Sequence, residues 1–214
     1  MKLAPFVSLD GIDGTGKSTQ CRLLVDSLNA NGIPAIGCAD PGGTPVGDEL
    51  RRILLSSRAD MSARAEALLF MASRAELVEK VIRPNLEAGR VVVCDRFITA
   101  NVVYQGHAGG LSPDDLWSVG RFSTAGLLPD LTLILDLPVD QAAARRGRDP
   151  DRMEARGVAY LERVRQGFLM EAMRDTERFH VIDASTDVPS LHRQVSALVL
   201  SFLRKRGIEP SKQS

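Results

Sequence analysis

The 214-residue chain has no excess of charge of either sign: 27 Lys and Arg stand against 27 Asp and Glu. A dedicated duplex-binding protein rests on a basic footprint that meets many phosphates, so this balance excludes that class. Any anionic partner must be met locally. Cysteine is scarce as well. Cys21, Cys38 and Cys94 are odd in number, lie in separate segments and form no CxxC or Cys/His spacing. That excludes a disulfide framework and a thiolate zinc site, and points to a reducing cytosol. No long hydrophobic run is present either. The first apolar stretch, Leu3 to Leu9, is interrupted by Pro5 and ended by Asp10, too short for a signal or membrane segment and read as a strand. Lysine is rare, with 5 Lys against 22 Arg. The ratio favours forked contacts with carboxylates or phosphates, or reflects no more than a genome's base composition.

What remains is an ordinary globular composition, 44% hydrophobic and 25% charged, which sets aside collagen-like, low-complexity and largely disordered classes. Strand and helix patterns alternate. Strands are expected at Phe6 to Asp10, Ala35 to Ala39, Val91 to Cys94, Leu131 to Leu137 and Phe179 to Ile182. Helices are expected at Gln20 to Asn31, Val46 to Leu55, Ser62 to Glu87 with a local break at Pro84, Ser112 to Thr124, and over the apolar sets 158–173 and 191–202. This order implies an α/β fold with a five-stranded parallel sheet, helices on both faces and right-handed crossovers. One domain over residues 1–206 is expected, with 207–214 as a frayed tail.

Gly11-Ile12-Asp13-Gly14-Thr15-Gly16-Lys17-Ser18 satisfies GxxxxGK[ST] between a strand and a helix, the context that motif requires. Random placement at this composition gives roughly 0.004 matches per sequence, so an incidental glycine turn is a poor explanation. Glycines let backbone N–H groups converge on phosphate oxygens at a positive helix end; Lys17 reaches the β/γ oxygens and Ser18 offers a hydroxyl to Mg²⁺. Nucleoside triphosphate binding follows, with Thr19 next in the helix. The reaction does not.

Other groups carry two readings each. Asp95 and Arg96 end the third strand, where parallel α/β sheets border their ligand crevice; they serve a metal and an anionic substrate, or form a structural ion pair. Phe70 and Arg74 are four apart on one helical face. They stack on and edge-read a flat base, or are a core phenylalanine beside a surface arginine. Arg145, Arg146, Arg148, Arg152 and Arg156, with Gly147 and Pro150 among them, are a solvated charged turn or an Arg-rich lid over about 145–156 that covers the transferring phosphoryl group.

Taken in order, FVSLDGIDGTGKSTQ, DPGGT, ALLFMASRAELV, CDRF, VYQG, PDLTLILD and DRME resemble the bacterial thymidylate kinases, over about residues 5–185. The resemblance implies a three-layer P-loop NTPase fold and transfer of the ATP γ-phosphoryl group to dTMP with Mg²⁺, in a cytosolic homodimer. It implies that Lys17 and Ser18 hold ATP and Mg²⁺ and that Asp13 sits by the dTMP phosphate, sugar and metal. Phe70 would stack on thymine, Arg74 would meet a base carbonyl and Arg96 the dTMP phosphate. Asn101 would contact the base, Tyr104 would crowd the sugar 2′ position, and Gln105 would lie near the base. Gly14 lacks the loop arginine of some members, so Arg145, Arg148 and Arg152 look like the alternative supply. DPGGT would be a phosphate-side loop, or is a tight surface turn.

Departures from the family pattern fall on the acceptor side: Asp10 for Glu, Ala39-Asp40 for Arg-Glu, Phe97 for Tyr, and Ala100 for Ser. They leave open a kinase for another nucleoside monophosphate or a deoxynucleoside. A third class, a slow nucleotide-hydrolysing switch, lacks support in any NKxD-type segment or additional signalling domain.

Overall fold

The computed structural model describes residues 3–56, 61–145 and 156–209. The elements follow the chain as β1 (Phe6–Asp10), α1 (Lys17–Ala30), β2 (Ala35–Ala39), α2 (Pro45–Leu55), α3 (Ala63–Leu77), α4 (Arg83–Glu87), β3 (Val91–Asp95), α5 (Ile98–Asn101), α6 (Pro113–Ser123), β4 (Leu131–Asp136), α7 (Val139–Arg145), α8 (Val158–Arg174), β5 (Phe179–Asp183) and α9 (Val188–Lys205). All five strands pair in parallel in the order β2-β3-β1-β4-β5. The alternation of short apolar runs and helical patterns therefore gives the expected three-layer α/β architecture, with β1 at the centre.

Period-two alternation divides the core between the two faces. Val7 and Leu9 of β1 and Val91 and Val93 of β3 join a cluster with Leu24 of α1, Val164 of α8 and Val195 of α9. Phe6, Val92 and Cys94 point the other way, into a cluster with Met71 and Leu77 of α3, Leu86 of α4 and Leu116 of α6. A strand buried on both faces needs apolar side chains at consecutive positions, which is the continuous run seen in the sequence.

Two helical segments widen where the sequence shows no signal. Residues Val78–Ile82 and Val102–His107 form π-helical turns, the first joining α3 to α4 and the second continuing α5. The break expected at Pro84 is displaced: Pro84 sits in the first turn of α4, and the change of winding falls just before it. Proline cannot donate to the preceding turn, and the wider winding ahead of it accommodates that lost bond. Helix α7 was not anticipated; the lid reading covered its end. Of the expected lid, only Arg145 and Arg156 fall within the described residues; Arg146, Arg148 and Arg152 lie outside them, as does the end of the tail beyond residue 209.

Candidate active site

The carboxyl ends of β1, β2 and β3 meet a cleft of about 520 Å³. Its lining brings Asp13, Lys17 and Ser18 of the glycine loop together with Asp95 and Arg96 of the β3 end, Phe70 and Arg74 of α3, and Asn101, Tyr104 and Gln105 after β3. Sequence positions up to 92 residues apart thus share one wall, because parallel strands deliver their carboxyl ends to the same edge of the sheet.

The loop is built by close approach. Gly11 adopts φ +137°, and a Cβ there would lie 2.5 Å from the carbonyl oxygen of Leu135 on β4. Gly14 adopts φ +94°, and a Cβ would lie 2.2 Å from the carbonyl oxygen of Ala142 on α7. The loop arginine missing at Gly14 has no room here. Buried Thr15 donates to the Ile12 carbonyl at 2.9 Å, and Lys17 Nζ donates to the same oxygen at 2.8 Å, with Asp13 at 3.6 Å. Burial pushes the Lys17 ammonium below its ordinary pKa, and the Arg96 cation adds to that. An unscreened ammonium so placed has much to gain from phosphate oxygens. Ser18 donates its hydroxyl to the Asp95 carboxylate. Gly16 caps α1 in the left-handed region, while half-buried Thr19 lies on α1 away from the cleft lining.

Arg96 links the loop to the rest of the cleft. Its backbone holds φ +69°, a strained value for a non-glycine residue and one that turns the side chain back over β1. Its guanidinium donates to the Gly11 carbonyl at 2.9 Å, to Asp13 at 2.6 Å and to the Tyr104 hydroxyl at 3.3 Å. Burial works against the Arg96 cation, but Asp13, Tyr104, Asp95 and Asp10 outweigh it and hold the guanidinium charged. Beneath it, Asp10 is fully buried, with Oδ1 unpartnered among the described residues. Burial raises its carboxyl to about 6 against the pull of Arg96 and Lys17.

At the far end, Phe70 is half-buried on the cleft wall, and Arg74 is not the surface arginine of the plainer reading. Arg74 is 1% exposed. Its Nε donates to Asp40 at 2.6 Å, one Nη donates to Asn101 at 3.0 Å, and the guanidinium lies 5.5 Å from the Phe97 ring centroid. The Phe97 ring is packed edge-on against Phe6 at 4.9 Å, so the missing hydroxyl at this position faces core, not solvent. Burial pushes the Asp40 carboxyl up and Arg74 opposes it.

The PGGT loop lines the cleft, as the resemblance implies, but its two glycine N–H groups are already engaged. Gly42 donates to Ser73 at 3.1 Å and Gly43 to Asp48 at 2.9 Å. The basic group at this rim is Arg51 of α2, which donates to the Pro41 carbonyl at 2.7 Å and lines the cleft. Sequence reading missed Arg51. The available signal was its place on a helix capped by Thr44 directly after that loop. Arg145, expected at the nucleotide, sits at the end of α7 and donates to the carbonyls of Ala184, Ser185 and Thr186. It therefore braces the β5–α9 loop and does not line this cleft.

A Thymidylate kinase family model matches residues 9–195. A thymidylate kinase of Rhodopirellula baltica is 45% identical over 91% of this chain and 80% of its own length. Thymidylate kinases of Symbiobacterium thermophilum and Kosmotoga olearia are 43% and 42% identical, covering 95% and 94% of this chain and 96% and 98% of their own. The glycine loop, the Asp95-Arg96 strand end and the Phe70/Arg74 wall are gathered in one cleft, and the chain belongs to the thymidylate kinase family.

Proposed function

We propose that the protein transfers the γ-phosphoryl group of ATP to the 5′-phosphate of dTMP, giving dTDP and ADP. The observation that carries this reading is Arg96, whose guanidinium spans the glycine loop, Asp13 and Tyr104 in one cleft. A phosphate held on Arg96 lies between the donor loop and the base-sized space bounded by Phe70, Arg74, Asn101 and Gln105. An oxygen of the dTMP phosphate attacks the γ-phosphorus, and the bond to the β–γ bridging oxygen breaks. No covalent enzyme intermediate is needed, since positioning and charge stabilisation suffice for this chemistry.

Lys17 leaves the Ile12 carbonyl for the β/γ oxygens. Asp13 orients the acceptor phosphate together with Arg96, Phe70 stacks on the base, and Tyr104 closes the sugar side. The donor set fits Mg²⁺: one hydroxyl and two carboxylates, Ser18, Asp95 and Asp13, beside the phosphates suit a hard cation that keeps most of its waters. Mg²⁺ held there would supply charge neutralisation across the β- and γ-phosphates. Among the described residues no group of three or more His, Cys, Asp or Glu could hold a metal alone, in keeping with an ion that arrives with its nucleotide. Arg148 and Arg152, which lie outside the described residues, supply further positive charge to the transferring group. The nucleotide-binding residues include Gly11, Ile12, Gly14, Thr15 and Gly16 of the loop and Thr19 in the first turn of α1, with Arg145 holding the β5–α9 loop beside them.

Ile53, Leu68, Val119 and Phe122 are exposed on the adjoining helices α2, α3 and α6, with Phe122 at 88%. These exposed apolar side chains support a homodimer, and three free cysteines support action in the cytoplasm. Among the described residues no helix is long and apolar enough to cross a membrane. The deciding experiment is ADP release coupled to a reporter, with ATP and dTMP, dUMP, dCMP, AMP or GMP. Stimulation by dTMP is expected; no stimulation by dTMP or dUMP overturns the reading.

A further inference from the structure

The cleft floor is continuous with a line of hydrogen bonds that leaves it. Arg74 donates to Asn101 Oδ1 at 3.0 Å, Asn101 Nδ2 donates to Gln105 Oε1 at 2.7 Å, and Gln105 Nε2 donates to Glu66 Oε1 at 2.7 Å. The second oxygen of Glu66 receives Arg156 at 2.6 Å. Arg156 also donates to the Tyr160 hydroxyl at 3.2 Å, and that hydroxyl donates to the Tyr104 carbonyl at 2.8 Å. Glu66 is 1% exposed, whereas the Arg156 side chain is 31% exposed. An arginine just ahead of α8 therefore grips a carboxylate buried on α3, 90 residues away in sequence.

The line has only one consistent sense. A guanidinium can only donate, and a carboxylate can only accept. Between these two ends, each amide must turn its oxygen toward Arg74 and its nitrogen toward Glu66. Reversing either amide sets N–H against N–H or oxygen against oxygen, inside a buried network where a mismatched pair is costly. Asn101 Nδ2 and Gln105 Nε2 each retain one N–H with no protein acceptor among the described residues, and both residues line the cleft. The floor is thus fixed as a row of donors. A pyrimidine seated with C4, and not N3, against this row is met well when it carries a carbonyl there. One that presents an amino group meets it donor to donor.

We infer that Glu66, clamped by Arg156, is a positioning residue that sets the amide sense of Asn101 and Gln105, and thereby makes the acceptor site select a 4-oxo over a 4-amino pyrimidine nucleotide. This rests on the reading of the cleft as the dTMP site. Neither Glu66 nor Arg156 touches the base. Each acts through Gln105, and Arg156 acts from outside the cleft.

The test is the ratio of kcat/KM for dTMP to that for dCMP in wild type, Glu66→Gln, Arg156→Met and Arg156→Lys, with thermal unfolding of each. Glutamine is close in shape to glutamate but can turn either end toward Gln105, so one of the two anchors is lost. Glu66→Gln is expected to lower the ratio by roughly tenfold, the scale of one mismatched buried hydrogen bond. The change should appear in the KM for the monophosphate, with the KM for ATP unmoved. Arg156→Met should lower the ratio in the same direction, and Arg156→Lys should restore most of it. A purely structural role would move kcat and unfolding without moving the ratio. Should Glu66→Gln not fold, the half-exposed Arg156 pair decides alone. A ratio unchanged in every folded variant overturns the inference while leaving the kinase reading intact; wild-type protein inert toward dTMP overturns both.

Discussion

Nε of Arg74 donates to Oδ2 of Asp40 across 2.6 Å, with the two side chains only 2% and 1% exposed. Each ion is the other's main compensation for leaving water, so removing either strands a buried charge, typically at a cost of about 3–5 kcal/mol. Asp40→Ala and Arg74→Ala should both lose stability on that scale in urea unfolding. Arg74→Ala should in addition raise the KM for the monophosphate more than the KM for ATP. An Arg74→Ala protein of unchanged stability would contradict the closed pair, and a larger rise for ATP would reduce Phe70 and Arg74 to ordinary packing.

Lys17→Ala should separate activity from folding. The ammonium is held against its burial by one carbonyl at 2.8 Å and by Asp13 at 3.6 Å, so its loss takes little from the folded state. Turnover should fall on the order of 10³-fold in kcat, the scale of a lost transition-state charge partner, with a melting temperature equal to or above wild type. Normal turnover would remove the glycine loop from the mechanism.

Gly14→Ala and Gly89→Ala make a matched comparison. Both glycines hold positive φ, at +94° and +78°, but a Cβ at Gly14 meets the Ala142 carbonyl oxygen at 2.2 Å while one at Gly89 meets nothing within 4 Å. Gly89→Ala should cost only backbone strain, about 1 kcal/mol. Gly14→Ala should cost clearly more and raise the KM for ATP, because α7 must retreat from the loop. Equal effects on stability would show that α7 yields freely.

Asp10 should give a pH signature, measured without Mg²⁺. Its folded carboxyl titrates near 6 against 3.8 as the ordinary value, so the folded state binds the proton more tightly than the unfolded state does. Its contribution to stability is therefore greatest below pH 4 and is lost as pH rises from about 4 through 6. A shift of that size corresponds to about 3 kcal/mol. The stability of Asp10→Asn relative to wild type should climb across pH 4–6 and level off above it. A difference independent of pH would show that Asp10 stays ionised in the folded protein.

Much of this was legible in the sequence because it is local. The glycine loop follows from spacing, the strands from short apolar runs, and the shared face of Phe70 and Arg74 from helical period. What was not legible depends on partners far along the chain. Nothing near Arg74 announces that Asp40, 34 residues earlier, closes over it. Nothing near Glu66, which reads as one more acid in an amphipathic helix, announces Gln105 or Arg156. Strand order was likewise beyond reach, since alternation fixes parallel pairing without saying that β1 lies between β3 and β4. The π-helical turns escaped because apolar spacing in so short a segment does not separate one winding from another.

The wide turn Val102–His107 bears on how the family can vary. A π-helical turn is an ordinary helix carrying one residue too many, and an ordinary helix advances about 100° per residue. Deleting one residue there would leave a sound helix with α6 nearly in place, because the surplus residue is absorbed within the turn, yet it would re-aim Tyr104 and Gln105 relative to Asn101. A change of length in this stretch would therefore disturb the cleft wall more than the exchange of one side chain would.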